Sequence, residues 1–281
     1  MIELIIIAIF QGLFEFLPIS SSGQTMIISI NFFGISPENA FSLAIWLHLG
    51  TTTAVILKFR KDFIRLFKTF LHNDLEVSIV DVKKRNWLIY ATIGTGITAV
   101  PIYFIIKTLF LDVFTAAQGD ILTLIISGFL ILTGIIIIKT RKTFGNKLIA
   151  EISRPNIKRD SFVSGLLQGV SILPGVSRSG ITTSTILLQK YKHNDALILS
   201  FLMSVPVAIA SVAVDILFGG GSVFSTLGVA NILVVTFVSF IVGYLAIDIL
   251  LRIAKRLNFG YFCLLYGILA YVIVLPFLII A

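Results

Sequence analysis

Five polar side chains able to do acid–base work or to bind phosphate stand inside long apolar runs: Gln11, Glu15, His48, Gln168 and Arg178. Gln11 and Glu15 lie at i and i+4, so one helix face carries both. Behind Glu15 come three hydroxyls, Ser20, Ser21 and Ser22, followed by Gly23 and Gln24. A second polar run supplies Ser177, Arg178, Ser179, Gly180 and Thr182. A carboxylate beside hydroxyls can act as a base or a metal ligand. An arginine offers a planar fork of donors that suits phosphate oxygens. Serines and glycines at the start of a helix let an anion approach its free N–H groups. These parts together describe a site for a phosphate-bearing molecule.

The elements that position them follow from composition. The chain has 281 residues, of which 57% are hydrophobic and only 13% charged, with a mean hydropathy of +1.02. That excludes a disordered chain, a polar solenoid and almost any soluble enzyme, which could not cover such a surface. Six stretches are long enough to cross a bilayer, which takes about 20 residues each: 39–58, 86–107, 119–139, 195–217, 227–250 and 259–280. Two more, 2–33 and 161–190, are broken near the middle by proline-containing polar segments around Pro18 and Pro174. Each half is too short to span, so these read as re-entrant hairpins of two half-helices. At membrane depth a lipid phosphate fits the site better than a soluble nucleotide, and each buried ionisable group is a functional candidate.

The two broken stretches are copies. The offset that carries Gln11-Gly12 onto Gln168-Gly169 also carries Ile19-Ser20-x-Ser22-Gly23-x-Thr25 onto Val176-Ser177-x-Ser179-Gly180-x-Thr182. Matched broken segments in two halves point to a site at a repeat interface. Three full spans separate the hairpins, so the second enters from the opposite face and the repeats are inverted. The expected fold is an all-α polytopic membrane protein with six full spans and two re-entrant hairpins, built as repeats over 1–145 and 146–281.

Net charge is +8. On this topology all but two of the 22 Lys and Arg fall on one face, the exceptions being Lys107 and Arg178. The positive-inside rule makes that face cytoplasmic. Both termini then lie outside, in the plasma membrane, with the site opening toward the outer face. Topology accounts for the charge, so no nucleic-acid partner is expected. Cys263 alone supports no disulfide framework, and the N-terminus, with Glu3 and no basic region, predicts no cleaved signal peptide. Residues 60–72 predict an interfacial helix with Phe63, Phe67 and Phe70 on its apolar face. A homodimer is left open.

Plainer roles compete with the functional ones. Glu15 and Arg178 could form a structural ion pair, and Ser20–Ser22 could act as helix caps. Gln168 could bridge helices, Thr51–Thr53 could bond back to their own helix, and His48 could be a core histidine. Asp215 and Asp248, near span ends, are read as wetted; His72 and His193 are placed in loops.

With these residues in hand, the chain resembles the undecaprenyl-diphosphate phosphatase family, also called the bacitracin-resistance family. Gln11-x-x-x-Glu15-Phe-Leu-Pro-Ile-Ser-Ser-Ser-Gly matches its (E/Q)xxxE element and Ser-rich turn, and 174–182 matches its PGxSRSxxT element in full. The resemblance implies dephosphorylation of a polyprenyl diphosphate to the monophosphate carrier, with phosphate released and Mg2+ or Ca2+ required. It implies that Glu15 is the essential carboxylate and possible metal ligand, Ser21 the nucleophile or a phosphate contact, and Arg178 the diphosphate clamp. Gln11, Ser20, Ser22, Ser177, Ser179 and Thr182 would support the phosphates. Family members commonly carry a histidine where this chain has Gln24, which can contact phosphate but cannot titrate, and His48 is expected to supply the imidazole instead. A lipid flippase is the main rival, because inverted broken helices are also a transporter architecture. The carrier is open between a bacterial undecaprenyl and an archaeal dolichyl type.

Overall fold

The computed structural model describes residues 1–71, 77–108, 119–140, 145–218, 222–256 and 258–280; His72 lies outside them. In chain order its helices are α1 (Ile2–Phe14), α2 (Ser21–Phe33), α3 (Pro37–Lys58), α4 (Arg60–Leu71), α5 (Ile79–Ile106), α6 (Gly119–Thr140), α7 (Arg154–Val170), α8 (Arg178–Leu188), α9 (His193–Phe218), α10 (Ser222–Leu227), α11 (Val229–Arg256) and α12 (Phe259–Ile280). Among the described residues the only β pairing is an isolated bridge between Lys147 and Tyr191. The 6 helices α3, α5, α6, α9, α11 and α12 are long and apolar enough to cross a membrane. Pro101, Pro206 and Pro276 lie inside three of them, as neighbouring helices in a bundle permit.

Two helices begin earlier than the hydropathy suggests. α5 starts at Ile79 instead of 86, and its 28 residues span about 42 Å at 1.5 Å per residue. That exceeds the hydrocarbon thickness of roughly 30 Å. Its first turns carry Lys83, Lys84 and Arg85, which are good helix formers that stop an apolar span but not a helix. They anchor neighbouring segments: Lys83 Nζ donates to Ala150 O (2.5 Å), Lys84 Nζ reaches Asp62 Oδ1 (3.2 Å) and Arg85 donates to Thr69 O (2.6 Å). α7 begins at Arg154 instead of 161, with a proline in its first turn, the position where a missing N–H costs nothing.

α4 exposes Ile64, Phe67, Phe70 and Leu71 while burying Leu66 and Thr69. Its exposed residues thus combine apolar side chains with the basic Lys61, Arg65 and Lys68, as an interfacial helix requires. Phe63 departs from the expectation: it turns inward against the cluster of Phe16, Phe201 and Ile247, and Ile64 takes its place on the outer face. Asp215 is a second correction. It is only 5% exposed and accepts from Ser42 Oγ (2.6 Å) and Trp46 Nε1 (3.2 Å) on α3. Those donors lie far away in sequence, and they satisfy a carboxylate that position alone places in water. Asp248 is half exposed and pairs with Lys58.

Each proline-containing break becomes the tip of a helix pair, α1–α2 and α7–α8. Ser20 sits at φ 56° and its Oγ accepts from Gly23 N (3.4 Å), capping α2. Ser177 Oγ accepts from Gly180 N (3.1 Å), capping α8. The tips touch: a Cβ on Gly23 would fall 2.7 Å from the Cα of Gly175, itself at φ +94°. Ser179 Oγ donates to Leu17 O (3.3 Å) across the same junction. The first helix of each pair packs on the second full span of the other half, α1 on α11 and α7 on α5.

The repeated Gln-Gly pair has a packing reason. A Cβ on Gly12 would lie 2.8 Å from Val242 Cβ, and one on Gly169 would lie 1.8 Å from Thr98 Oγ1 and 2.8 Å from Thr95 O. Both glycines let a hairpin helix touch its span at backbone distance. Gly169→Ala should therefore cost about 1–3 kcal/mol by overpacking. A thermal melt of the purified protein in one detergent checks this; an unchanged midpoint contradicts it.

Candidate active site

The site forms where the two tips meet the middle of α3, α5 and α9. Glu15 follows directly on α1, with its amide bonded to Gln11 O. Its carboxylate is nearly buried, yet it lines a cavity of about 220 Å3. Four side chains from four helices converge on it. Gln11 Nε2 donates to Oε2 (2.8 Å) from one turn back. Ser21 Oγ donates to the same oxygen (2.6 Å) from the first residue of α2. His48 Nε2 lies 3.1 Å from Oε2, from α3. Arg178 pairs with Oε1 from the first residue of α8. The tip contact at Gly23 and Gly175 places Arg178 and Ser21 on opposite sides of one carboxylate.

Several features suit this arrangement to an anion. A guanidinium has five N–H donors, and Glu15 engages Arg178 through Nη2, leaving donors for a second anion. Ser20, Ser21, Ser22, Ser177, Arg178 and Ser179 all line the cavity. Because Ser20 and Ser177 act as caps by accepting, their own hydroxyl protons stay available to a phosphate. The starts of α2 and α8 face each other here, adding two positive dipole ends.

His48 is held by its own helix, with Nδ1 2.6 Å from Ala44 O. A carbonyl can only accept, so Nδ1 carries a proton. A neutral ring would then aim the Nε2 lone pair at the carboxylate, so the His48–Glu15 contact requires a proton on one partner. A pair in this arrangement can hold and pass a proton. His48→Gln should cut turnover by about a hundredfold and remove one limb of its pH–rate profile. An unaltered profile would exclude the imidazole.

Other expected site residues stand further back. Gln24 does not line the cavity; its amide donates to Ile19 O (2.7 Å), fixing the tip from within. Gln11 is fully buried behind Glu15. Thr182 Oγ1 donates to Arg178 O (2.7 Å) and is bonded to Ser200 Oγ, bracing the first turn of α8. Gln168 does bridge helices, donating to Thr95 Oγ1 (3.1 Å) and Met203 O (3.4 Å), but it also lines the cavity. Thr51 and Thr53 bond back to His48 O and Leu49 O, and Cys263 is buried. The sequence gives no sign of the wall that α5 and α9 contribute, because its small and apolar residues carry no chemistry of their own.

A resident divalent cation does not fit these residues well. Mg2+ or Ca2+ asks for six or more oxygens. Among the described residues no three His, Cys, Asp or Glu side chains converge. Glu15 is the one carboxylate lining the cavity, and four donors already occupy it.

Six membrane-length helices around a buried cavity with an acid, a hydroxyl, an imidazole and a guanidinium define a multi-pass membrane protein with a hydrolase-like, anion-handling centre. The family profile described as "Bacitracin resistance protein BacA" matches residues 4–272, and the chain belongs to that family. It is 37% identical over 268 residues to the undecaprenyl-diphosphatase of Methanothrix thermoacetophila, covering 95% of this chain and 94% of that one. It is also 37% identical over 279 residues to that of Methanococcoides burtonii, covering 95% and 96%. With that of Methanopyrus kandleri it shares 32% over 263 residues, covering 94% and 92%.

Proposed function

We propose that this protein hydrolyses a polyprenyl diphosphate of the undecaprenyl type to the monophosphate, releasing inorganic phosphate and recycling a glycan carrier lipid. It is a membrane phosphatase of the family to which it belongs. The observation that carries the reading is the single carboxylate, Glu15, held between the Ser21 hydroxyl of one tip and the Arg178 guanidinium of the other. A nucleophile bonded to its base, with a cation beside it, is the minimal equipment for phosphoryl transfer.

In our reading the diphosphate binds against Arg178 and the N-termini of α2 and α8, with Ser22 and Ser177 donating to its oxygens. Glu15 takes the Ser21 proton as Oγ attacks the terminal phosphorus in line. The bond to the bridging oxygen breaks, and the lipid monophosphate leaves with the proton that the Glu15–His48 pair hands on, which returns Glu15 to its carboxylate form. Water then cleaves the phosphoserine, with the Glu15–His48 pair taking the proton, and phosphate is released. Fixed donors aimed at the developing charge provide the main stabilisation.

The metal requirement enters as a property of the substrate. Because the protein offers one engaged carboxylate, Mg2+ or Ca2+ would arrive on the diphosphate, as its counter-ion. The charge distribution supports basic loops in the cytoplasm, termini outside and a site facing outward in the plasma membrane. The crossed packing of α1 on α11 and α7 on α5 supports two inverted repeats. Phosphate release from a polyprenyl diphosphate, assayed with chelator, Mg2+ or Ca2+, tests the reading. Release that rises with the cation is expected; no release under any of these conditions would contradict it.

A further inference from the structure

The cavity has an opening that the chemistry at its floor does not use. At about 220 Å3 it is smaller than the roughly 300–1,000 Å3 of clefts that enclose a drug-sized ligand. It can take a diphosphate but not a polyprenyl chain, so the chain must pass out through the wall. Most wall residues are buried or half-buried. Gly96 and Val100 on α5 and Ala210 on α9, however, line the cavity and are exposed. Ile93, Ile97 and Ile209, each about half exposed, stand beside them. The opening is therefore lateral, between two membrane-length helices, and framed by side chains suited to hydrocarbon.

Two glycines two residues apart on α5 separate packing from vacancy. A Cβ on Gly94 would lie 2.5 Å from Phe162 O, so the α5–α7 contact requires that glycine. A Cβ on Gly96 would meet nothing within 4 Å. No protein atom needs Gly96 to be small, and the space it leaves is the mouth of the cavity. A second observation points to an occupant. Gln168, bonded to Thr95 beside Gly96, turns its amide nitrogen to Thr95 Oγ1 and to Met203 O, which can only accept. Its Oε1 is buried without a protein partner in the wall of the cavity. Such an atom calls for a donor carried by the ligand or by a water that comes with it.

Resting on the diphosphatase reading above, we infer that the α5–α9 slot is the port for the prenyl tail and that Gly96 is a specificity-determining residue. The first isoprene units lie across Gly96, between Val100 and Ala210, and the rest of the chain stays in the bilayer. The headgroup stays at Arg178 and Ser21.

The test compares kcat/KM for a long polyprenyl diphosphate with that for a one-isoprene diphosphate, using the purified full chain. Wild type, Gly96→Phe, Ala210→Phe and Ile97→Phe are measured together. At Gly96 a Cβ meets no protein atom within 4 Å, so a side chain can start there without a clash at its root. Gly96→Phe and Ala210→Phe should each lower the long-to-short ratio by about tenfold or more, mainly through KM for the long substrate. Ile97→Phe, one residue along beside the opening but not lining the cavity, should keep the wild-type ratio. A wild-type ratio in Gly96→Phe, or equal loss on both substrates in folded protein, overturns the port. Phosphate release from neither substrate by wild type instead overturns the diphosphatase reading itself.

Discussion

Arg178→Ala should lower turnover of a polyprenyl diphosphate by about a thousandfold, the scale of losing a fixed donor to developing charge. The side chain has two partners in this account. It holds Oε1 of Glu15, and it faces the cavity where the diphosphate would lie. Arg178→Lys should recover only a small part of the loss. An ammonium is a point charge and cannot hold Glu15 and a phosphate oxygen in one planar fork. Stability must be separated from catalysis, because removing one member of a buried pair costs about 3–5 kcal/mol. The double variant Arg178→Ala, Glu15→Gln removes both charges and should melt closer to wild type than Arg178→Ala alone while staying inactive. Turnover by Arg178→Ala within tenfold of wild type would remove the clamp from the mechanism.

Ser21→Ala should lose at least about a thousandfold in kcat while still binding substrate, because the nucleophile is absent but the phosphate donors remain. The geometric reason is the 2.6 Å bond from Ser21 Oγ to Glu15 Oε2, which makes Ser21 the serine whose proton already faces a base. Ser20 Oγ uses a lone pair for its cap, accepting from Gly23 N. Acid quenching during turnover of substrate labelled in the terminal phosphate should leave label on the wild-type chain and none on Ser21→Ala. An active Ser21→Ala with no labelled wild type would show that a water held by Glu15 attacks directly.

Much of this was legible in the sequence, for identifiable reasons. A span announces itself through about 20 apolar residues, and the two proline breaks stand out because each interrupts such a run. Glu15 and Arg178 could be singled out because charged groups at membrane depth are costly, whereas only the family resemblance set Ser21 apart from Ser20 and Ser22. What stayed hidden depends on distant partners. Asp215 reads as wetted until Ser42 and Trp46 fold against it. The roles of Gln24 and Thr182 as internal braces depend on Ile19 O and Ser200. The charged beginnings of α5 and α7 escape a hydropathy criterion, because Lys and Arg end an apolar run without ending a helix. Gly96 resembles Gly94 in sequence, and only the packing of α7 on one of them tells the two apart.

The central claim is that the carboxylate joining the two tips works in diphosphate hydrolysis. The most direct measurement is the yield of inorganic phosphate and lipid monophosphate from a polyprenyl diphosphate, with purified wild type and Glu15→Gln compared in the same bilayer. Wild type should produce the two in equal amounts, and Glu15→Gln should stay at background while retaining its fold. Wild-type rates from Glu15→Gln would contradict the account.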